Sequence, residues 1–189
     1  MNTTPYYSIV IPVFNEEANL LVLLERLMAV MHKLERSYEI IFTDDGSYDR
    51  SATILRQLHL QYPDIIRVIL FNRNFGQHMA IMAGLEQAQG EIIITLDADL
   101  QNPPEDIPKL IAAIAAGHDV VNAYRHQRQD NWLRMLLSKW HNKLRAKMIP
   151  GLQMLDEGCM LRAYRRHIID SVVATGEAVT FISVSYTHL

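Results

Sequence analysis

Two aspartates one residue apart, Asp97 and Asp99, close a short apolar, β-branched run from Ile92 to Thr95. If Asp97 ends a strand and Asp99 begins the next turn, both carboxylates converge on one point beyond the sheet. Like charges this close repel unless a cation or a shared proton relieves them. Oxygen ligands with the Gln101 amide beside them suit a hard divalent ion, Mg²⁺ or Mn²⁺. An ion held by few protein oxygens usually has a phosphate as its other partner. The stretch EIIITLDADLQNPP therefore points to a metal-bound diphosphate. An isolated Asp-x-Asp pair also serves as a helix cap, so the rest of the chain has to separate the two readings.

The pair does not stand alone. Ser8 to Val13 (SIVIPV) reads as a strand that runs into Asn15 and Glu16, and Tyr38 to Thr43 (YEIIFT) as one that runs into Asp44 and Asp45. Ile66 to Phe71 leads to Arg73, and Asp119 to Tyr124 to Arg125. Between these runs the apolar residues adopt helical spacing. Leu20, Leu23, Leu24, Leu27 and Met31 predict a helix starting near Asn15 or Glu16, and Ile54, Leu55 and Leu58 one opened by Asp49 or Ser51. Further helices are expected from about Gln77 to Ala88 and from Pro104. Strands and helices that alternate at these lengths predict an α/β fold, a mostly parallel sheet flanked by helices. Ligands of such sheets bind outside the carboxyl ends of the strands, and all five polar clusters fall there.

Several functions are excluded. The first strand turn, PVFNEE, has no glycine and carries two acids, so it offers no dinucleotide-binding turn. Walker, HExxH and GxSxG motifs are absent. Asp44 and Asp45 leave two readings open: a DG turn that caps a helix, or an acid that accepts hydrogen bonds from a base or ribose. A receiver-like acidic pocket fits less well, because PVFNEE and two carboxylate clusters suit a nucleotide better.

The chain has 189 residues, 49% hydrophobic and 21% charged, with a formal net charge of -3, which fits one globular domain. Its single cysteine, Cys159, excludes a disulfide framework and a cysteine zinc site. No run approaches the roughly 18 to 20 apolar residues that span a bilayer, and no leader precedes the first strand. The chain therefore reads as cytosolic. Residues 125–149 differ in character: Arg125, Arg128, Arg134, Lys139, Lys143, Arg145 and Lys147 face one acid, Asp130, with Trp132 and Trp140 among leucines. A basic amphipathic helix of this kind fits an anionic membrane surface, where it would collect a lipid phosphate; an ordinary surface helix is the other reading. Nucleic acid is not an expected partner of an acidic chain without a binding motif. His78 is expected to be structural or solvated, and Met79, Met82 and Met154 to be core. Arg162, Arg165 and Arg166 either approach phosphates or form a charged strand-to-helix turn.

Taken together, SIVIPVFNEE, FTDDGSYD, RNFGQHMAIMAGL and ITLDADLQNPPE resemble the family 2 glycosyltransferases of the GT-A (Rossmann-like) fold. The likeness is to their polyprenyl-phosphate group, which includes dolichyl-phosphate mannose synthase. RQDNWLR and GCMLRAYRRHIID are most similar to bacterial members that move 4-deoxy-4-formamido-L-arabinose to undecaprenyl phosphate, for lipid A modification and polymyxin resistance. Other polyprenyl-phosphate glucosyl- or mannosyltransferases remain the alternative, as does a fragment that only binds the nucleotide sugar.

The resemblance implies a catalytic domain over residues 1–183 and a UDP-sugar donor. Pro12, Phe14, Glu16, Asp44, Asp45, Asp97, Ala98 and Asp99 would line the nucleotide, and Asp97, Asp99 and Gln101 the metal. Arg125, Arg128, Arg134 and Ser138 would meet the lipid phosphate, with Asp97, Asp99, Arg125 and Arg134 carrying catalysis. Phe14 stands where tyrosine is common, and Glu157 precedes Gly158 where an aromatic is usual. An acceptor phosphate is already anionic and needs alignment more than a general base, so single-displacement inverting transfer is expected. The resemblance also implies a parent enzyme at the cytoplasmic face of the bacterial inner membrane. Its C-terminal membrane spans are absent here, and residues 184–189 (VSYTHL) do not look like the family's continuation. A homo-oligomer is left open.

Overall fold

A computed structural model of the protein describes residues 4–123 and 160–175. Arg125, Arg128, Arg134, Ser138, the basic segment 125–149 and residues 184–189 lie outside the described residues, as do Met154, Glu157 and Cys159. The elements in order are β1 (Tyr7–Val13), α1 (Leu20–His32), β2 (Tyr38–Asp44), α2 (Ser51–Gln61), β3 (Ile66–Leu70), α3 (Gln77–Gln87) and β4 (Ile92–Thr95). A 3₁₀ turn (Pro104–Asp106), α4 (Ile107–Ala115), β5 (Val120–Asn122), β6 (Arg162–Arg165) and α5 (Arg166–Thr175) follow.

Among the described residues the sheet has six strands in the order β3-β2-β1-β4-β6-β5. β1 pairs in parallel with β2 and β4, and β2 with β3, while β6 lies antiparallel between β4 and β5. Side chains alternate across this sheet, as the two-residue strand repeat requires. Ile9, Ile11, Ile40, Phe42, Ile92 and Ile94 pack with the buried leucines of α1 and α2 and with Ile107, Leu110 and Ile114 of α4. Val10, Ile41, Ile93 and Tyr164 face α3 and α5 on the other side. Both faces are covered, so the central strands are buried along nearly their whole length, with apolar residues at most positions. Helix α3 lies close on the sheet because Gly84 has no side chain: a Cβ there would come 2.4 Å from Val10 Cγ1.

The expected α/β fold, mostly parallel and flanked by helices, is the one found, with three differences. Helix α1 starts at Leu20 rather than near Asn15, because Asn15 takes a left-handed backbone at φ 55 and side chains from another loop hold the amides of Asn15, Glu16 and Glu17. The run RAYR is a full strand inserted between β4 and β5, and the helix that follows starts directly at Arg166, so of the two readings of these arginines the strand-to-helix one matches the structure. Met79 is about half exposed rather than core, whereas Met82 is buried as expected. Among the described residues no helix is long and apolar enough to cross a membrane.

Candidate functional site

The strand order places a topological switch between β1 and β4: one crossover leaves β1 toward β2 and β3, and the chain returns to β4 on its other side. The even residues of β1 direct their backbone groups to β4, as in Leu96 N donating to Val10 O at 3.1 Å, and the odd ones to β2, as in Asp45 N donating to Val13 O at 2.8 Å. The β1–β4 ladder ends at Val10 and Thr95. Pro12, the next even residue, therefore lacks an N–H where no ladder partner is left to accept it. A proline in a central strand is tolerated here because the two strands part.

Two loops from neighbouring strands are tied together beside this opening. Asn15 N donates to Ser47 Oγ at 2.9 Å, Tyr48 N to Asn15 Oδ1 at 2.8 Å, and Glu16 N to Ser51 Oγ at 2.9 Å. Glu17 N donates to Asp49 Oδ2, while Glu17 Oε2 accepts from the amide and guanidinium of Arg50. The Arg50 amide, with its guanidinium second, holds the Glu17 carboxyl below the ordinary range. Desolvation opposes ionisation of Asp49, yet hydrogen bonds from Ser51 and the Glu17 amide leave its pKa lowered too. Glu16 is partly buried, with Oε2 accepting from Asn19 Nδ2 at 2.6 Å. Above these loops the exposed rings of Phe14 and Tyr48 meet edge to face, 5.9 Å apart.

Asp44 and Asp45 have different roles, although both are buried. Asp45 uses both oxygens to accept from Phe75 N (2.7 Å) and Gly76 N (2.9 Å), so it organises the loop ahead of α3. Asp44 Oδ2 accepts from Ser47 N at 3.2 Å, and its Oδ1 is buried without a hydrogen-bond partner among the described residues. Gly46 lets the two loops meet: its φ is +70, and a Cβ would fall 2.5 Å from the Arg73 carbonyl carbon. Arg73 itself turns to Phe75, with its guanidinium carbon 4.7 Å from the ring centre.

Asp97, just past β4, accepts from Gln77 Nε2 at 2.9 Å and from Asn102 Nδ2 at 3.4 Å. Asp99 Oδ1 accepts from Gln101 N at 3.0 Å, and Leu100 between them adopts φ 60, so this turn is bent back on itself. Asp97 and Asp99 are partly exposed, Gln101 is exposed, and the Ala98 methyl belongs to the core. Ala98 can thus offer only backbone to a ligand. Arg26 of α1 grips Glu105 through two hydrogen bonds of 2.9 and 2.6 Å and anchors the far end of this loop.

Of the remaining candidates, His78 is exposed, as expected. Arg165 donates to Ile114 O and Arg166 to the carbonyls of Ala88 and Gly90, all at the opposite rim of the sheet. Arg162 is buried at the carboxyl-end rim, in register with Thr95. Burial pushes the Tyr164 phenol up, with Arg162 and Thr95 at its hydroxyl pulling the other way. Sequence reasoning missed Gln77 and Asn102, whose only signal was an amide side chain close in sequence to a motif already suspected.

The glycosyl transferase family 2 model matches residues 8–173. The chain is 51% identical over 177 residues to undecaprenyl-phosphate 4-deoxy-4-formamido-L-arabinose transferases of Aeromonas hydrophila and of Proteus mirabilis, covering 94% of this chain and 54% of each relative. It thus spans about half the length of these curated relatives. Among solved structures it resembles a mannosyltransferase from Pyrobaculum calidifontis in complex with GDP-Man and Mn²⁺ (TM-score 0.61, 18% identity, covering 90% of this chain and 47% of that one). It also resembles glucosyl-3-phosphoglycerate synthase from Mycobacterium tuberculosis in complex with UDP (TM-score 0.59, 23% identity, covering 87% and 58%). On the strength of the family match over most of its length and the shared fold, the chain belongs to glycosyl transferase family 2.

Proposed function

We propose that this chain is the donor-binding catalytic domain of an inverting glycosyltransferase, extending over residues 1–183, that moves 4-deoxy-4-formamido-L-arabinose from a UDP-sugar to undecaprenyl phosphate. The observation that carries the donor site is the buried Asp44 oxygen without a donor among the described residues, at the end of β2 next to the β1–β4 opening. An unpaired buried acceptor costs about 1–3 kcal/mol, and a base N–H or a ribose hydroxyl supplies the missing donor. Phe14 and Tyr48 offer aromatic surface beside the same loop. The sugar and the lipid acceptor rest on the names of relatives about 50% identical to this chain.

Asp97, Asp99 and Gln101 offer oxygen donors only, and no group of three or more His, Cys, Asp or Glu that would hold a metal occurs among the described residues. That set fits a hard divalent ion completed by a diphosphate rather than by the protein. Bound there, Mg²⁺ or Mn²⁺ would neutralise charge on the departing diphosphate. The protein's own work is positioning: the paired loops fix Asp44, the bent turn fixes Asp99, and Arg26 with Glu105 anchors the turn's far end. Arg125, Arg128, Arg134 and Ser138 are proposed to orient the acceptor phosphate, and the basic segment to rest on an anionic membrane surface at the cytoplasmic side.

Calorimetric titration of UDP with and without Mn²⁺ tests the donor site, on this chain and on Asp99→Ala. Binding that needs the metal and disappears in the variant is the expected result. A folded chain that does not bind UDP overturns the proposal. Transfer from UDP-sugars to undecaprenyl phosphate then separates catalysis from binding alone and identifies the sugar.

A further inference from the structure

The hydrogen bonds around the two strand ends form one connected chain. Asp45, just past β2, holds the amides of Phe75 and Gly76 with both carboxylate oxygens, at 2.7 and 2.9 Å. Those amides fix the start of α3, whose first residue is Gln77. The Gln77 side chain then crosses to β4's end, where Nε2 donates to Asp97 Oδ1 at 2.9 Å. From the other side Asn102, which is buried, places Nδ2 3.4 Å from Asp97 Oδ2. The carboxylate assigned to the metal thus lies between two amides from separate segments, and one of these is linked to the loop carrying Asp44.

From this juxtaposition we infer that Gln77 is a positioning residue for the metal-binding carboxylate, and that Asp45 acts through it. The inference rests on the donor-site reading given above. An aspartate carboxylate turns about two side-chain bonds, the second with only broad preferences, and a divalent ion binds it well only when its lone pairs are already aimed. An N–H donated to Oδ1 fixes the plane of the carboxylate and so sets the direction in which its oxygens face an ion. Hydrogen-bonding partners of this type contribute about 10- to 100-fold to metal affinity. Gln77 is itself exposed, so its loss opens no cavity and breaks no core contact. The same arrangement connects the two halves of the site: movement of the loop held by Asp45 shifts the base of the side chain that orients Asp97.

The test is UDP affinity measured calorimetrically with and without Mn²⁺, for the natural chain, Gln77→Ala, Gln77→Leu and the neighbouring exposed control His78→Ala. Mn²⁺ binding followed by its electron paramagnetic resonance signal provides a second reading. Both Gln77 variants should bind UDP about 10-fold more weakly in Mn²⁺, with metal-free affinity and melting temperature unchanged, and His78→Ala should match the natural chain. Equal affinity of the Gln77 variants in Mn²⁺ overturns the inference while leaving the donor site standing. An equal loss with and without metal overturns it as well, since Gln77 would then act on the nucleotide or the fold. A natural chain whose UDP binding ignores Mn²⁺ removes the metal site and this inference with it.

Discussion

Strand β2 carries a buried carboxylate at each end, and the two are treated in opposite ways. At the amino end Glu39 Oε1 accepts from Ser8 Oγ and Gln89 N, both at 2.7 Å, and Oε2 accepts from Arg67 at 2.9 Å. At the carboxyl end Asp44 accepts one amide and leaves Oδ1 unmatched among the described residues. The neighbourhood of Glu39 is completed by Gly90 N donating to Ser8 and by Arg166 capping the Gly90 carbonyl. Both rims are polar, so polarity alone does not reveal which end works. Completion does: the amino-end acid is fully employed in joining β1, β2 and the α3–β4 loop, whereas the carboxyl-end acid has capacity left for a ligand.

The contrast can be broken most forcefully at Glu39. Glu39→Ala strands Arg67, Ser8 and an amide together, and a loss of about 3 kcal/mol is expected in urea denaturation. UDP affinity of the protein that remains folded should not change. Asp44→Ala should do the reverse, weakening UDP binding about 10- to 100-fold in calorimetry while stability stays within about 1 kcal/mol. If Asp44→Ala lowers stability by about 3 kcal/mol while the protein that remains folded binds UDP as the natural chain does, the two ends have been assigned the wrong way round.

The smallest effect belongs to the Arg26–Glu105 clamp, whose partners are 35% and 51% exposed. Arg26→Ala should cost less than about 1 kcal/mol at neutral pH. Arg26 holds the Glu105 carboxyl below its ordinary 4.5, so the folded pKa is the lower one. The contribution is therefore complete above the ordinary value and fades as pH falls through the folded value. Natural and Arg26→Ala chains should differ in urea midpoint at pH 7 and converge in acid.

How much of this was legible depended on whether a pattern was local. β4 was expected at Ile92 to Thr95 and is found there, because a β-branched run between polar residues has one economical reading. The buried positions of α1 followed from their spacing, but its start did not, since Ser47, Ser51 and Asp49 reach it from more than thirty residues away. The strand RAYR was legible only as a charged strand-to-helix turn, because Arg162 and Arg165 bracket it with charge, and its place between β4 and β5 is what buries Ala163 and Tyr164. Within the site, Asp44, Asp97 and Asp99 stood out by type and spacing. That Asp45 is occupied and that Gln77 meets Asp97 are facts of three-dimensional arrangement, which no spacing encodes.

Pro12 has a consequence beyond the site's shape. Where two parallel strands part, each exposes a row of backbone groups, which is what a foreign strand needs to insert or a second molecule needs to dock edge-on. At this opening the row on β1 is interrupted, because the residue that would donate the next bond has nothing to donate. The cleft is thereby guarded against being zipped shut by polypeptide. It can stay open for a ligand that makes no strand-like ladder, and the protection lies in the backbone, where no side-chain movement can undo it.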